Sequence, residues 1–89
     1  MKRAKVVVPN KLGLHARASA QFVGLANQFP CDVMLQRDDI KVNGKSMMAI
    51  MTLAASQGTE VVIITDGEQE NQALEALLDL IEQGFGEDV

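Results

Sequence analysis

The residue best suited to chemistry is His15, the only histidine in the chain. It lies where a strand-like run gives way to a helix-like run, so we expect it at or next to the N-cap of a helix. The first backbone N–H groups of that helix, those of Ala16, Arg17 and Ala18, would lack helical partners and favour an anion such as phosphate. The Arg17 guanidinium adds a charge that can bond phosphate oxygens. Because these surroundings favour the neutral, nucleophilic imidazole, the pattern predicts a histidine that accepts a phosphoryl group and releases it.

Other kinds of chemistry find less support in the sequence. A serine hydrolase would need a nucleophile and an acid beside His15, and Ser19 and Ser46 are candidates, but no nucleophile-elbow motif is present. Gly44-Lys45-Ser46 matches only the end of a nucleotide-binding phosphate loop. A metal site would need more histidine, cysteine or clustered carboxylate than the chain offers, so we expect neither a metal nor a cofactor. The alternative for His15 is an ordinary capping or surface histidine.

Length and charge narrow the class of protein. The 89 residues predict one domain, 1–89, and the net charge of −4 argues against nucleic-acid binding. Basic residues concentrate near the start of the chain and acidic residues near its end. Cys31 is the single cysteine, so it is expected as a buried, reduced thiol. No apolar run is long enough for a membrane span or a signal peptide, which favours a cytoplasmic protein.

The elements that must position His15 follow from hydrophobic periodicity and turn residues. The VVV end of the first strand indicates burial on both faces or a central position in the sheet. Ser46 is a favourable N-cap for a short helix. The segment from Gly84 onward is expected to fray. The predicted order is β-α-β-β-α-β-α, an α+β fold, with strands at Lys2–Val8, Cys31–Gln36, Ile40–Val42 and Glu60–Thr65, and helices from Ala16 to about Phe29, from Ser46 to about Leu53 and at Gln69–Gln83.

Two motifs resemble those of a known family. NKLGLHARAS, which holds His15, and VNGKSMMAIMTLAA, some thirty residues later, are similar to the histidine-containing phosphocarriers (HPr) of the bacterial phosphoenolpyruvate-dependent phosphotransferase system. The resemblance implies an open-faced sandwich, a four-stranded antiparallel sheet with three helices on one face. It implies that phosphorylated enzyme I loads Nδ1 of His15, which then passes the group to a histidine of an enzyme IIA protein. Arg17 matches the active-site arginine, and Ser46 the site that a serine kinase phosphorylates in some bacteria.

The details look more like the nitrogen-related branch (NPr) than the sugar branch. HARAS, FPC after the first helix and the GFGED-type tail resemble that branch. Ala18 replaces a proline that most members carry, which loosens the first helical turn. Gly24, Asn27 and Ala49 stand where the sugar branch often has lysines, which weakens the basic patch used against acidic partners.

The methionines of the second motif have two interpretations. They could fill the core, or they could form an exposed apolar patch beside His15 that docks several partners, which suits adaptable methionine side chains. The docking surface expected on the second interpretation consists of Ala20, Gln21, Gly24, Met47, Met48 and Met51. A monomer is expected. A docking module of the same fold that acts without phosphotransfer is the alternative function.

Overall fold

The computed structural model describes residues 1–87, and its elements follow the predicted order. The strands are β1 (Lys2–Val7), β2 (Asp32–Arg37), β3 (Ile40–Asn43) and β4 (Glu60–Asp66), and the helices are α1 (Ala16–Ala26), α2 (Met47–Thr52), α3 (Glu70–Glu82) and a 3₁₀ turn at Gly84–Gly86. All four strands pair antiparallel in the spatial order β1-β4-β2-β3, so β4 and β2 are central. β2 and β3 form a hairpin.

The core lies between one face of this sheet and the helices. Strand residues alternate between the two faces, and the register places Leu35 of β2 opposite Ile63 of β4, both fully buried. Helix α1 buries Phe22 and helix α3 buries Leu77 against the same core. The buried helix positions recur at steps of four residues, which is the spacing of one helix face. The buried apolar positions are Ala18, Phe22 and Ala26 in α1 and Ala73, Leu77 and Ile81 in α3, and Ser19 of α1 is buried beside them.

Two predictions about these elements are wrong. The first strand is not central: β1 pairs only with β4, and Val7 is 51% exposed. Helix α1 ends at Ala26, three residues before Phe29. There the N–H groups of Gln28 and Phe29 donate to carbonyl oxygens three residues back rather than four, so the chain tightens and leaves the α-helix.

The tail is also ordered where fraying was expected. Phe85 is buried in the core cluster, and Glu87 makes hydrogen bonds to residues near the start of the chain. Gly84, Phe85 and Gly86 all have positive φ, which folds the tail back sharply after α3. The remainder of the predicted frayed segment, residues 88–89, lies outside the described residues. Among residues 1–87, each helix is too short or too polar to cross a membrane.

Candidate functional site

The loop that leads to His15 is fixed by the neighbouring segment after α2. Leu14 N–H donates to the carbonyl oxygen of Ala55 at 2.9 Å. Gly13 has a φ of +62°, and a Cβ added there would lie 2.4 Å from that same oxygen. Only glycine therefore fits this position without moving the backbone. The close approach sets where the chain enters α1 and hence where His15 lies.

His15 is the N-cap of α1, as the sequence predicts. Its backbone is extended (φ −75°, ψ −179°), and its carbonyl oxygen accepts the N–H of Ser19 at 2.8 Å. The side chain makes no capping hydrogen bond, so the imidazole is left available, and it is 26% exposed. Within residues 1–87, the N–H groups of Ala16, Arg17 and Ala18 have no hydrogen-bond partner. The start of α1 therefore has three unpaired donors beside an accessible imidazole, two of them on the exposed residues Ala16 and Arg17 and the third on the buried Ala18.

Glu87 contacts the imidazole directly. Its Oε2 lies 2.5 Å from His15 Nε2, and its Oε1 accepts a hydrogen bond from Asn10 Nδ2 at 3.0 Å. The hydrogen bond from Asn10 and that from His15, with the charges of His15 and Arg17, lower the pKa of Glu87. Glu87 is therefore a carboxylate at neutral pH. At the level of sequence, the GFGED-type tail that holds this residue indicates only a branch resemblance and no role at the site, because Glu87 lies 72 positions from His15 in a segment expected to fray.

Asn10 forms a cluster with His15 and Glu87. Its side chain is fully buried, and its two amide protons are shared between the carbonyl oxygen of Gly13 and Glu87. Because both acceptors are oxygens, the group of Asn10 that faces them must be the Nδ2 amide nitrogen and not the Oδ1 oxygen. Asn10 thereby connects the loop before His15 to the tail after α3.

The structure places the other predicted site residues around the start of α1. The side chain of Arg17 is exposed, while Ala18 is fully buried and packs into the core. Ser19, a candidate nucleophile for a hydrolase, is buried, and its hydroxyl donates to the carbonyl oxygen of Leu14. That hydroxyl is engaged in holding the loop. Cys31 is buried, as expected.

Ser46 is the N-cap of α2, as the sequence predicts. Its hydroxyl oxygen accepts the N–H of Ala49 at 3.3 Å, and its carbonyl oxygen accepts that of Ile50. Ile50 is the buried anchor of this short helix. Ser46 itself is half-buried.

The six residues of the expected docking surface lie on α1 and α2, which contact each other. Met47, Met48 and Met51 are 37%, 81% and 42% exposed, so core filling is the wrong interpretation for these side chains. On α1, Ala20 and Gly24 are exposed and Gln21 is half-buried. None of the six carries a charge, so the surface is apolar to neutral. In the part of the chain that the structure describes, no group of three or more possible metal ligands occurs.

Comparison with known proteins gives one consistent family. The family model described as "PTS HPr component phosphorylation site" matches residues 2–83. The phosphocarrier protein HPr of Pseudomonas aeruginosa is 50% identical over 88 residues, which cover 98% of each chain. The HPr-like protein Crh of Bacillus subtilis is 49% identical over 83 residues, or 93% of this chain and 98% of that one. A crystal structure of HPr from Thermoanaerobacter tengcongensis superimposes with a TM-score of 0.96, at 45% identity and complete coverage of both chains.

Proposed function

This chain belongs to the HPr family of phosphocarrier proteins of the phosphotransferase system, and we propose that His15 is the residue that carries its phosphoryl group. A phosphocarrier takes up and passes on one group per cycle and is not a catalytic enzyme. The observation that carries the proposal is the position of His15, whose accessible imidazole lies at a helix start with three free N–H donors. That arrangement can hold a phosphate without burying it.

The neighbouring groups have separate roles in this proposal. The imidazole supplies the lone pair that attacks phosphorus. The N–H groups of Ala16, Arg17 and Ala18, at the positive end of the helix dipole, stabilise the phosphate oxygens. The exposed Arg17 guanidinium adds charge-assisted hydrogen bonds to the same oxygens. The His15 imidazole and the Arg17 guanidinium remain partly solvated, so the phosphoryl group stays transferable.

The partners in this proposal are those the family resemblance implies. Phosphorylated enzyme I, loaded by phosphoenolpyruvate, would dock on the surface formed by α1 and α2 and deliver the group. An enzyme IIA protein would then dock on the same surface, and one of its histidines would take the phosphoryl group. The three exposed methionines suit such a shared surface, because unbranched thioether side chains adapt to partners of different shape. We propose that the protein meets these partners as a monomer.

We further propose that the protein serves the nitrogen-related branch rather than sugar uptake. The support is the lack of lysines on α1 and α2 and directly after α1, where Gly24, Ala49 and Asn27 stand at positions that the sugar branch often fills with lysine. An apolar, uncharged surface selects partners by shape and hydrophobic contact rather than by complementary charge. Binding to sugar-specific enzyme IIA proteins should therefore be weaker than binding to a nitrogen-related one. Titration against purified enzyme IIA proteins of both kinds measures this preference.

Ser46 is proposed as a regulatory phosphosite for a serine kinase. It neighbours Met47 on the docking surface, so a phosphate there would place about two negative charges beside the contact area. The charge would oppose an acidic partner. Replacement of Ser46 by aspartate should then slow phosphoryl uptake from enzyme I, whereas replacement by alanine should leave the uptake rate unchanged.

The proposal for His15 is tested with labelled phosphoenolpyruvate and purified enzyme I. The wild-type protein should take up one acid-labile phosphate and lose it when an enzyme IIA protein is added. His15→Ala should take up no phosphate. The variant should keep its fold, because the His15 side chain makes no capping hydrogen bond to α1. Uptake by His15→Ala would refute the assignment. Full biological activity of that variant would favour the docking module instead.

A further inference from the structure

The geometry points to Glu87 as a positioning residue for His15, whose carboxylate holds the ring proton on Nε2 so that Nδ1 keeps the lone pair that accepts the phosphoryl group. The inference rests on the proposed role of His15 and adds the residue that decides which ring nitrogen reacts. The hydrogen bonds found within residues 1–87 leave Nδ1 without a protein partner, whereas Nε2 is paired with Glu87.

The tautomer follows from the chemistry of the two groups. An ionised carboxylate can only accept hydrogen bonds, so the nitrogen that faces it must carry the proton. Glu87 Oε2 lies within hydrogen-bond reach of His15 Nε2, at 2.5 Å, so the two atoms form a hydrogen bond of this kind. A neutral imidazole has one ring proton, so its presence on Nε2 leaves Nδ1 unprotonated and nucleophilic. Glu87 remains ionised at neutral pH because Asn10 and His15 lower its pKa.

The carboxylate is held from two sides. Its second oxygen accepts a hydrogen bond from Asn10, which is fully buried and also holds the loop before His15 through Gly13. Two residues earlier in the tail, Phe85 is buried in the core with a φ of +59°. Such a backbone conformation is costly for a residue other than glycine and persists only where packing determines it. The core therefore anchors the tail that presents Glu87, while the side chain of Glu87 remains 15% exposed.

The positioned proton also matters during transfer. The lone pair of Nδ1 attacks phosphorus, the Nδ1–P bond forms, and the bond from phosphorus to the donor's leaving atom breaks with its electron pair going to that atom. The ring keeps its Nε2 proton and gains a positive charge, which the Glu87 carboxylate balances. When the group moves to the acceptor, the Nδ1–P electron pair returns to the ring. The same arrangement orients the histidine in catalytic triads, where a carboxylate holds the ring proton opposite the reacting nitrogen.

The tautomer of His15 is read directly by nitrogen–proton NMR of the imidazole, at a pH where the ring is neutral. Wild type should show the proton on Nε2, and Glu87→Ala should show a mixture of both tautomers. Glu87→Gln keeps one uncharged acceptor oxygen, for which Asn10 Nδ2 and His15 Nε2 compete, so it should restore the Nε2 proton only in part. Glu75→Gln, an exposed position in the middle of α3, is the matched control and should resemble wild type.

The rate of phosphoryl uptake from enzyme I is the second readout. Because one charge-assisted hydrogen bond to the ring is lost, Glu87→Ala should react about tenfold more slowly, with Glu87→Gln in between. An unchanged tautomer or an unchanged rate in Glu87→Ala overturns the positioning role. If wild type takes up no phosphate at all, the proposed function fails instead, and the tautomer measurement separates the two because it needs no phosphotransfer.

Discussion

Gly13→Ala should destabilise the protein and displace His15 together. The added Cβ would lie 2.4 Å from the Ala55 carbonyl oxygen and 2.8 Å from Ser56 Cα, whereas ordinary contact begins at 3.4 Å. The loop must therefore retreat by about 1 Å, which strains the hydrogen bond from Leu14 N–H to that oxygen. The entry of the chain into α1 shifts with it.

The expected loss has two parts. Alanine at positive φ costs about 1 kcal/mol. Forcing a methyl group into a packed contact adds roughly 2 kcal/mol. Gly58 is the matched control, because it also has positive φ but no atom lies within 4 Å of its added Cβ. Gly58→Ala should therefore lose only the first part, about 1 kcal/mol.

Urea unfolding of the two variants and wild type tests this difference. Gly13→Ala should lose roughly 2 kcal/mol more than Gly58→Ala, which in a domain of this size separates their melting temperatures by about 10 °C. Phosphoryl uptake should slow in Gly13→Ala and stay at the wild-type rate in Gly58→Ala. Equal losses of stability in the two variants would refute the argument that the close approach at Gly13 positions His15.

Three further predictions concern the elements around the site. Ser46→Ala should lower the free energy of unfolding by about 1 kcal/mol, because the Ala49 N–H loses its capping acceptor; calorimetry that shows no change would contradict this. Gly24→Ala should raise the free energy of unfolding by about 0.5–1 kcal/mol, because Gly24 is helical and an added Cβ would meet no atom within 4 Å. A lower free energy of unfolding in urea would contradict this. The pKa of Glu70 is lowered in the folded state, first by the hydrogen bond from the Gly67 N–H and then by the N-terminal ammonium. The ionised Glu70 carboxylate therefore stabilises the fold above the unfolded pKa, and this stabilisation is lost as the pH falls through the folded pKa. The stability difference between wild type and Glu70→Gln should therefore vanish in acid, and a difference that persists below pH ~2 would refute this assignment.

Much of the fold could be predicted from local patterns. The helix N-caps at His15 and Ser46 follow from where periodicity begins, and the buried face of α1 follows from residues at steps of three and four. The position of β1 at the sheet edge could not be predicted, because strand order depends on pairing between distant segments rather than on the strand's own composition. The end of α1 was misplaced because Phe29 continues the apolar spacing although the backbone has already tightened.

Only the part of the candidate site whose residues are adjacent in sequence could be predicted. His15, Arg17 and the free N–H groups are adjacent in sequence, so their chemistry can be inferred together. Glu87 and Asn10 reach the site through tertiary structure. A glycine-rich acidic tail is typical of a frayed end, and only the burial of Phe85 beneath it shows that this tail folds back onto the site.

The central claim, that His15 carries the phosphoryl group, is tested most directly by locating the phosphorus atom. Nitrogen-15-labelled protein is phosphorylated with enzyme I and phosphoenolpyruvate, and phosphorus–nitrogen coupling is measured by NMR without acid treatment. If His15 carries the group, a single coupling to Nδ1 of His15 is expected. Coupling to Nε2, or phosphorus bound to a serine oxygen with no coupling to nitrogen, would contradict it.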